Sequence, residues 1–320
     1  MHSAYIISLK KSEHLLTELA KYNVSGTFIT GIDGKKLNKL ELTKEVGSFY
    51  STILPRSVIG CGLSHILAWR EFLKTDKEHI IIFEDDVILE PNFDELYTKA
   101  IENVPRDFDI LYLGCFGCHS DRNFFTTIGD KLQLSTGPMQ TVNQYIKTPN
   151  IALGAHAYVI SRRGAETLIR LLDKKLYFHI DYCLQRLAKA EKIKTYVTTP
   201  RIAYQTSTDR VELSSNANNS HPLLFNYLLS NIHIDNKVRL NYLFTVSILT
   251  IGPFNITIWS IIFLLIGIFL GNRNFNFKDI TFVYLLLSIP DLLIGNVSNI
   301  VCHYFLLITP FFLIKNKNDI

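Results

Sequence analysis

A short apolar run that ends in three carboxylates constrains the fold of this chain more than any other feature. Residues 79–87 read HIIIFEDDV, so four apolar residues lead directly into Glu84, Asp85 and Asp86. A β-branched run of this length, bounded by polar residues, is typical of a strand buried on both faces. Strands of this kind occur in sheets that helices cover on both sides, so the run predicts an α/β fold.

The acidic triplet after this run also predicts a binding site. Three adjacent carboxylates repel one another, so their joint ionisation needs a positive partner nearby. A hard divalent cation that bridges to phosphate oxygens meets that need, and ligands of open α/β sheets bind just beyond the carboxyl ends of the strands. Glu84, Asp85 and Asp86 are therefore candidate ligands of a metal–phosphate site. A solvated strand end and a receiver-type phospho-acceptor site are the open alternatives, although the latter would place its acidic pair on the first strand.

Strand and helix patterns alternate through the first two-thirds of the chain. Besides the run before the acidic triplet, strands are predicted at residues 4–9, 26–30, 108–113, 155–160 and 194–197. Helices are predicted at residues 12–22, 60–74, 94–104, 161–172 and from 179 onward. This alternation favours a mainly parallel sheet flanked by helices. Ser64 and His65 fall near the predicted start of the helix at 60–74.

The distribution of charge divides the chain. From Leu240 to Asn272 there is no Asp, Glu, Lys or Arg. We predict an enzyme-like domain at residues 1–213, a linker at 214–239 and a C-terminal hydrophobic helical tail at 240–320. Residues 254–270 are 17 uncharged residues, which is the lower limit for crossing the hydrocarbon of a bilayer.

We expect the tail to contact a membrane through residues 240–314, because a helix that is hydrophobic all round belongs in lipid or in a large core. Lys237 and Arg239, just before the tail, favour a cytosolic main domain. The alternative is a helical subdomain packed against the rest of the chain. The number of spans stays open.

The cysteines and the net charge bear on compartment and partners. Five scattered cysteines suit a reducing compartment, and no secretory signal precedes the first predicted strand. Cys115 and Cys118 form a lone CxxC, which we expect to be two free thiols, with a zinc or redox pair as the alternative. The net charge of +4 is mild, and we expect no nucleic-acid partner.

Five segments, in this order and spacing, together resemble glycosyltransferase family 25. This is the family of lipooligosaccharide galactosyltransferases in bacteria and procollagen galactosyltransferases in animals. The segments are 5–9 (YIISL), 31–34 (GIDG), 60–65 (GCGLSH) with Trp69, 83–87 (FEDDV), and 154–161 (GAHAYVIS) with Gly164 and Ala165. The resemblance covers about residues 3–210 and leaves out the hydrophobic tail.

The resemblance implies a GT-A type fold, a nucleotide-sugar donor and a divalent cation, Mn²⁺ or Mg²⁺. Glu84-x-Asp86 would then stand where such enzymes carry a DxD-type motif. Asp86 would contact the metal, and Glu84 or Asp85 would hold ribose or a metal-bound water. A departing UDP develops negative charge on its β-phosphate, and a bridging cation stabilises that charge.

Further site residues follow from the same resemblance. An inverting transferase needs a carboxylate base for the acceptor hydroxyl, and Asp181 is the candidate, with Asp109 as a weaker one. A helix N-cap is the structural alternative for Asp181. Structural roles are also open for His65 and His156, and Trp69 is expected in the core. The candidate substrate-binding residues are Ser8, Leu9, Ser64, His65, Gly154, His156 and Gln205.

The sequence therefore predicts an inverting hexosyltransferase of lipooligosaccharide or lipopolysaccharide biosynthesis. It would transfer galactose from UDP-galactose to a saccharide at the cytoplasmic face of the bacterial inner membrane. The bacterial branch is favoured because neither a signal peptide nor an ER-retrieval ending is visible. The alternatives are a non-catalytic, membrane-tethered sugar-binding protein of the same fold and a metal-dependent phosphotransferase.

Overall fold

The chain divides into two compact units in a computed structural model. The model describes residues 1–119, 124–206, 222–235, 238–252, 254–273, 275–293, 295 and 297–318. The first unit comprises residues 1–51 and 56–206, and the second comprises residues 52–55 and 207–320. The predicted boundary after residue 213 and the polar run at 214–220 lie outside the described residues, so those domain limits stay a prediction.

The first unit is a sheet with helices. Its strands are β1 His2–Ser8, β2 Val24–Thr30, β3 His79–Glu84, β4 Val87–Leu89, β5 Ile110–Phe116, β6 Gln140–Thr141, β7 Ile146–Thr148, β8 Leu153–Ser161, β9 Thr195–Thr198 and β10 Ala203–Gln205. Its helices are α1 Glu13–Ala20, α2 Lys39–Val46, α3 Ser48–Ile53, α4 Arg56–Leu73, α5 Phe93–Asn103, α6 Phe124–Lys131, α7 Arg162–Leu172 and α8 Ile180–Lys189.

Eight strands form the central sheet, in the order β2-β1-β3-β8-β5-β9-β7-β6. β1 runs parallel to β2 and β3, and β5 runs parallel to β9. β8 is antiparallel to both of its neighbours, β3 and β5, and β7 is antiparallel to β9 and β6. The predicted α/β class and the common direction of most strands are confirmed, but the reversed β8 makes the centre of the sheet mixed.

The strand before the acidic triplet lies in the core as predicted. Ile80, Ile81, Ile82 and Phe83 on β3 are all buried. Ile81 and Phe83 belong to a cluster that includes apolar residues of the neighbouring β8 and of β5. Since successive side chains of a strand point to opposite faces, this complete burial requires cover on both sides of the sheet. β3 is therefore partly exposed only at its two ends, His79 and Glu84.

Helix starts follow their capping signals in two places and depart from the prediction in a third. Ser12 caps α1 by accepting from the backbone N–H of Leu15, and Ser161 caps α7 by accepting from that of Gly164. Helix α4, however, begins at Arg56, directly after Pro55, and not at Gly60. The prediction that Ser64 and His65 lie near its start was therefore wrong; both lie in its interior.

The CxxC segment also differs from expectation. Cys115, at the end of β5, is joined to Cys118 by a disulfide, so the prediction of two free thiols was wrong. Gly117 between them has φ +79°, a left-handed conformation that glycine adopts readily. This turn brings Cys118 back to Cys115.

The second unit is helical with short strand pairs. Its elements are α9 Leu223–Leu229, β11 His233–Asp235, β12 Val238–Arg239, α10 Leu240–Thr245, β13 Leu249–Ile251, β14 Phe254–Ile256, α11 Ile258–Asn272, α12 Phe277–Leu287, α13 Ile289–Leu293 and α14 Val297–Asn318. Its core contains Trp259, Phe263, Tyr284, Leu307 and Phe311.

The expected span at residues 254–270 is not supported. Phe254–Ile256 pairs with Leu249–Ile251 as an antiparallel strand, so the helix that follows has only 15 residues. Within the described residues, no helix combines enough length with enough apolar character to cross a membrane.

Candidate functional site

The sheet gathers the acidic triplet and several distant residues at one edge. Ile7 at the end of β1 lies beside Glu84 at the end of β3, because the two strands are parallel. β8 runs the opposite way and pairs Ala157 with Phe83, so its first residues lie at the same edge. A separate antiparallel pair sets Gln205 of β10 opposite Val87 of β4. The carboxyl end of β3 is thus bordered by three segments.

Glu84 receives hydrogen bonds on both of its carboxylate oxygens. His65 Nε2 lies 3.2 Å from Oε1, and Gln205 Nε2 donates to Oε2 at 3.1 Å. The Cys61 thiol makes a weaker contact, 3.9 Å from Oε1. Burial alone would raise the pKa of Glu84, but the hydrogen bond from His65 holds it below its usual value. Glu84 is therefore a fixed, ionised carboxylate.

His65 belongs to a buried row of hydrogen bonds behind Glu84. Its Nδ1 lies 3.0 Å from the Tyr158 hydroxyl, and Trp69 Nε1 donates to the same hydroxyl at 2.8 Å. All three side chains are buried. Trp69 thus lies in the core as expected, and it has a polar contact there. The row connects the core of the unit to the carboxylate at its edge.

The other two carboxylates of the triplet are placed by different contacts. The Ser8 hydroxyl, at the end of β1, lies 2.5 Å from Asp85 Oδ2. The backbone oxygen of Asp86 accepts from the backbone N–H of Thr206 at 2.9 Å and from its hydroxyl at 3.1 Å. Ser8 therefore lies beside the triplet, and its expected role in substrate binding stays a prediction.

Asp181 ties the start of α8 to the start of β8. Its Oδ2 accepts from the backbone N–H of Gly154 at 3.0 Å, and its Oδ1 accepts from that of Tyr182 at 2.7 Å. Gly154 has φ +91°, which favours glycine at this contact. The helix N-cap is His179, so Asp181 lies one residue inside the helix and the N-cap alternative does not hold.

The Cys61 thiol, on α4, lies in a negatively charged environment. Burial raises the pKa of Cys61 well above its usual value, and the carboxylates of Glu84, Asp181 and Asp86 raise it further. Strand pairing places Asp181 at the same edge, because β8 pairs Ala157 with Phe83 and Asp181 bonds Gly154 at the start of β8. The fold therefore brings the candidate base to the edge that carries the candidate metal ligands, although residues 86 and 181 are far apart in the sequence.

His156 lies buried on β8, two residues after Gly154, with its ring 5.5 Å from that of Phe116. Burial lowers the pKa of His156 to about 4, and the nearby Glu84 carboxylate acts in the opposite direction. The imidazole is therefore neutral near pH 7. This placement fits both a lining residue and a structural one.

Three other predicted residues, Ser64, Leu9 and Asp109, have settings that differ from those of the triplet. The Ser64 hydroxyl accepts from the backbone N–H of Ile32 at 2.7 Å and donates to the Gly60 carbonyl at 2.7 Å, which fixes the 31–34 loop to α4. Leu9 is 54% exposed beyond the end of β1. Asp109 bonds Arg163 and the backbone of Lys194 at the amino end of β5, so the weaker base candidate lies away from the acidic triplet.

Two ligand sets of different chemistry share Glu84. Glu84, Asp85 and Asp86 offer only oxygen donors at one strand end, which fits a hard cation such as Mn²⁺ or Mg²⁺. Cys61, His65 and Glu84 have ligand atoms within 4.8 Å of one another, and their sulfur, nitrogen and oxygen donors suit Zn²⁺. The cation that the resemblance implies therefore fits the acidic triplet.

Cys61 and Tyr158 were not predicted as site residues. Cys61 and His65 are four residues apart on α4 and so share one face of the helix. That spacing could have identified Cys61 from the sequence alone. No sequence signal identifies Tyr158, because its contact depends on the pairing of β3 with β8.

The sequence of this chain is similar to those of several known proteins. The family model described as "Glycosyltransferase family 25 (LPS biosynthesis protein)" matches residues 1–184. The Haemophilus influenzae "Lipooligosaccharide biosynthesis protein lic2B" is 28% identical over 180 residues, covering 52% of this chain and 62% of that protein.

Two human proteins are also similar. "Procollagen galactosyltransferase 2" is 28% identical over 125 residues, covering 34% of this chain and 20% of that protein. "Inactive glycosyltransferase 25 family member 3" is 30% identical over 125 residues, covering 34% of this chain and 21% of that protein. The chain thus spans about a fifth of the length of these human relatives.

Proposed function

Because the chain belongs to glycosyltransferase family 25, we propose that it transfers a hexose, most simply galactose from UDP-galactose, to a saccharide acceptor in lipooligosaccharide or lipopolysaccharide biosynthesis. The names of the Haemophilus and human relatives support the acceptor class and the sugar, respectively. The order of the strands and the acidic edge are compatible with a GT-A type fold.

The observation that carries this proposal is that Asp181, bonded to Gly154 at the start of β8, lies at the edge of the sheet where β3 ends in the acidic triplet. A transferase needs a site for the donor diphosphate and a base for the acceptor within one reaction space. Carboxylates from the end of β3 and the start of α8 meet both needs at one edge of the sheet.

In the proposed reaction Asp85 and Asp86 would hold the divalent cation, Mn²⁺ or Mg²⁺. When bound, that ion would offset the charge that develops on the departing diphosphate. Glu84 has a hydrogen bond on each oxygen and lends negative charge from a fixed position. Ser8 orients Asp85 through the 2.5 Å contact between its hydroxyl and Oδ2.

Asp181 accepts the proton of the acceptor hydroxyl as that oxygen attacks the anomeric carbon. The two backbone N–H groups that it binds fix the direction of its carboxylate. Attack from the face opposite the leaving diphosphate inverts the anomeric configuration. Gly154, which is bonded to Asp181, and His156, two residues later on β8, would border the sugar.

UDP release from a panel of UDP-hexoses tests the proposal. The full-length chain with Mn²⁺ should release UDP fastest from UDP-galactose, and Asp86→Ala should abolish the release. Asp109→Asn is the matched control, because its carboxylate lies away from the triplet. A folded chain that releases UDP from no donor, or an Asp86→Ala variant with undiminished release, would contradict the proposal.

A non-catalytic, sugar-binding role is the second candidate, and one observation favours it. The human relative named as inactive is as similar as the others, at 30% identity. The two candidates differ in turnover: a binding protein would retain a UDP-sugar without releasing UDP. Family membership favours either of them over the phosphotransferase.

We place the reaction at the cytoplasmic face of the bacterial inner membrane. Support comes from the second unit, where large apolar side chains on α11 and α12 are exposed, among them Leu265, Phe269 and Phe282. Exposed apolar surface of this extent marks a protein or membrane contact. The proposed contact is with the bilayer interface.

A further inference from the structure

The hydrogen-bond row behind Glu84 determines where the protons of His65 lie. Trp69 Nε1 carries a hydrogen and can only donate, so the Tyr158 oxygen accepts at 2.8 Å. The Tyr158 hydroxyl keeps one hydrogen of its own, which needs an acceptor. His65 Nδ1, 3.0 Å away, is the acceptor that the described contacts offer.

The same reasoning fixes the other ring nitrogen. If His65 Nδ1 accepts from Tyr158, the hydrogen of a neutral imidazole lies on Nε2. Nε2 faces Glu84 Oε1 at 3.2 Å and can donate to it. Both ring nitrogens of His65 and the Tyr158 hydroxyl are then satisfied with a neutral imidazole, and an unpaired polar atom in the core would be costly.

We propose that His65 is a positioning residue, held by Tyr158 and Trp69 in the Nε2–H tautomer so that it always donates to Glu84. Resting on the proposed function, this gives Glu84 a fixed orientation behind the cation-binding carboxylates Asp85 and Asp86. His65 acts through Glu84 and does not itself touch the substrate.

The tautomer also decides between two uses of the Cys61, His65 and Glu84 cluster. A histidine binds a metal through an unprotonated nitrogen. For Nε2 to bind Zn²⁺, Nδ1 would have to carry the hydrogen, and the Tyr158 hydroxyl hydrogen would lose its acceptor in a buried place. The cluster is therefore a carboxylate support, although its donor types alone suit zinc.

The ring ¹⁵N shifts of His65 test the proposal without reference to activity. In the full-length chain with ¹⁵N-labelled histidine, above neutral pH, Nε2 should show the shift of a protonated nitrogen and Nδ1 that of an unprotonated one. The His65→Gln variant, which lacks the signal, assigns it. The reverse pattern, or a fast average of both tautomers, would overturn the proposal.

Removing the Tyr158 hydroxyl should allow His65 to populate both tautomers. In Tyr158→Phe the two ¹⁵N shifts should move toward each other, while Tyr97→Phe, a buried tyrosine change on α5 away from the triplet, should leave them unchanged. If Tyr158→Phe does not fold, the shifts of the unmodified chain still decide the question. Unchanged shifts in folded Tyr158→Phe would contradict the role of Tyr158.

Kinetics then test the link to Glu84. Tyr158→Phe should lower kcat about 10-fold or raise the half-saturating Mn²⁺ concentration by a similar factor, as is typical for groups that orient metal-site ligands, with KM for the UDP-sugar nearly constant. Unchanged kinetics together with the predicted tautomer would overturn the positioning role. A chain that shows the tautomer but releases no UDP would contradict the proposed function and not the tautomer.

Metal binding at the Cys61, His65 and Glu84 cluster can be tested independently, with Co²⁺ as a probe for a zinc site. In buffer without reductant, which leaves the Cys115–Cys118 disulfide intact, added Co²⁺ should give no thiolate charge-transfer band. A band that Cys61→Ser removes and Cys183→Ser leaves in place would show metal binding at the cluster and overturn the proposal.

Discussion

At the scale of single residues, the acidic triplet consists of three carboxylates in three different settings. Glu84 has a donor on each oxygen, Asp85 contacts the Ser8 hydroxyl, and Asp86 is anchored through its backbone to Thr206. Three adjacent acidic residues therefore differ in the contacts that they make. Asp85 is exposed, so its carboxylate is better placed than that of Glu84 to exchange ligands.

Asp181 offers a prediction about the base. Asp181→Asn preserves the size of the side chain and can still accept from Gly154, but it removes the charge that takes up the acceptor proton. We expect kcat for transfer to fall about 10²–10⁴-fold, the usual range for loss of a general base, with KM for the donor little changed. Steady-state kinetics with and without acceptor would measure this, and a loss below threefold would exclude Asp181 as the base.

His156 offers a prediction about pH. Burial lowers its pKa to about 4, against about 6.5 in an unfolded chain. The stabilising effect of the neutral, buried ring is complete above pH 6.5 and is lost as pH falls toward 4, because only the unfolded chain takes up the proton in that range. The difference corresponds to about 3 kcal/mol.

Urea denaturation of the first unit at several pH values would measure this dependence. His156→Gln should flatten the change in unfolding free energy between pH 6.5 and 4. The exposed His14 lies outside the core, so His14→Gln should leave the slope unchanged. An identical slope in His156→Gln would contradict the low pKa.

At the scale of elements, the sequence predicted most strands and helices because their signals are local. The buried run of β3 and the serine caps of α1 and α7 were identified from neighbouring residues alone. The reversed direction of β8 could not be, since it depends on which strands pair. The Tyr158 contact was missed for the same reason. The early start of α4 has a local signal in Pro55, because proline is common at helix starts.

Helix α4 carries Cys61 and His65, and its glycines determine how closely it approaches its neighbours. A Cβ on Gly60 would lie 2.5 Å from the Gly34 nitrogen and 2.5 Å from the Ile32 oxygen, both backbone atoms. A Cβ on Gly62 would meet the tip of the Leu176 side chain at 2.4 Å. The tip of the Leu176 side chain can move aside, whereas the backbone of the 31–34 loop can move only if the loop shifts.

We therefore expect Gly60→Ala to destabilise the first unit by about 1–3 kcal/mol, the range for overpacking, and Gly62→Ala to destabilise it less. Chemical denaturation of both variants would measure the difference. Because Gly60→Ala displaces the 31–34 loop from α4, it should also weaken donor binding. Equal destabilisation by the two variants would show that the loop does not require the close contact.

At the scale of the whole molecule, the chain combines a charged α/β unit with an apolar helical one. The second unit has its own core, yet Leu265 and Phe282 on α11 and α12 remain 57% and 68% exposed. Gly267 and Gly271 on α11 approach the backbone of α14 so closely that a Cβ would lie 2.0 Å from Leu307 O and 2.9 Å from Phe311 O. The two glycines therefore allow the backbones of α11 and α14 to pack in close contact.

Flotation with lipid vesicles tests the proposed interfacial contact. The full-length chain should move to the top of the gradient with vesicles that contain anionic lipid. A variant with both Leu265→Glu and Phe282→Glu should remain in the bottom fractions. Phe49→Glu changes a side chain of similar exposure, 66%, in the first unit and should still rise. A full-length chain that never rises with vesicles would exclude the membrane contact.

We expect the carboxylates at the carboxyl end of β3 to support transfer of a hexose, and transfer of label measures this most directly. The full-length chain should move labelled galactose from UDP-galactose with Mn²⁺ to a truncated lipooligosaccharide, and both Asp86→Ala and Asp181→Asn should lose most of this transfer while remaining folded. Label that stays in the donor with the unmodified chain across UDP-hexoses and lipooligosaccharide acceptors, despite measurable donor binding, would contradict the claim and identify a sugar-binding protein.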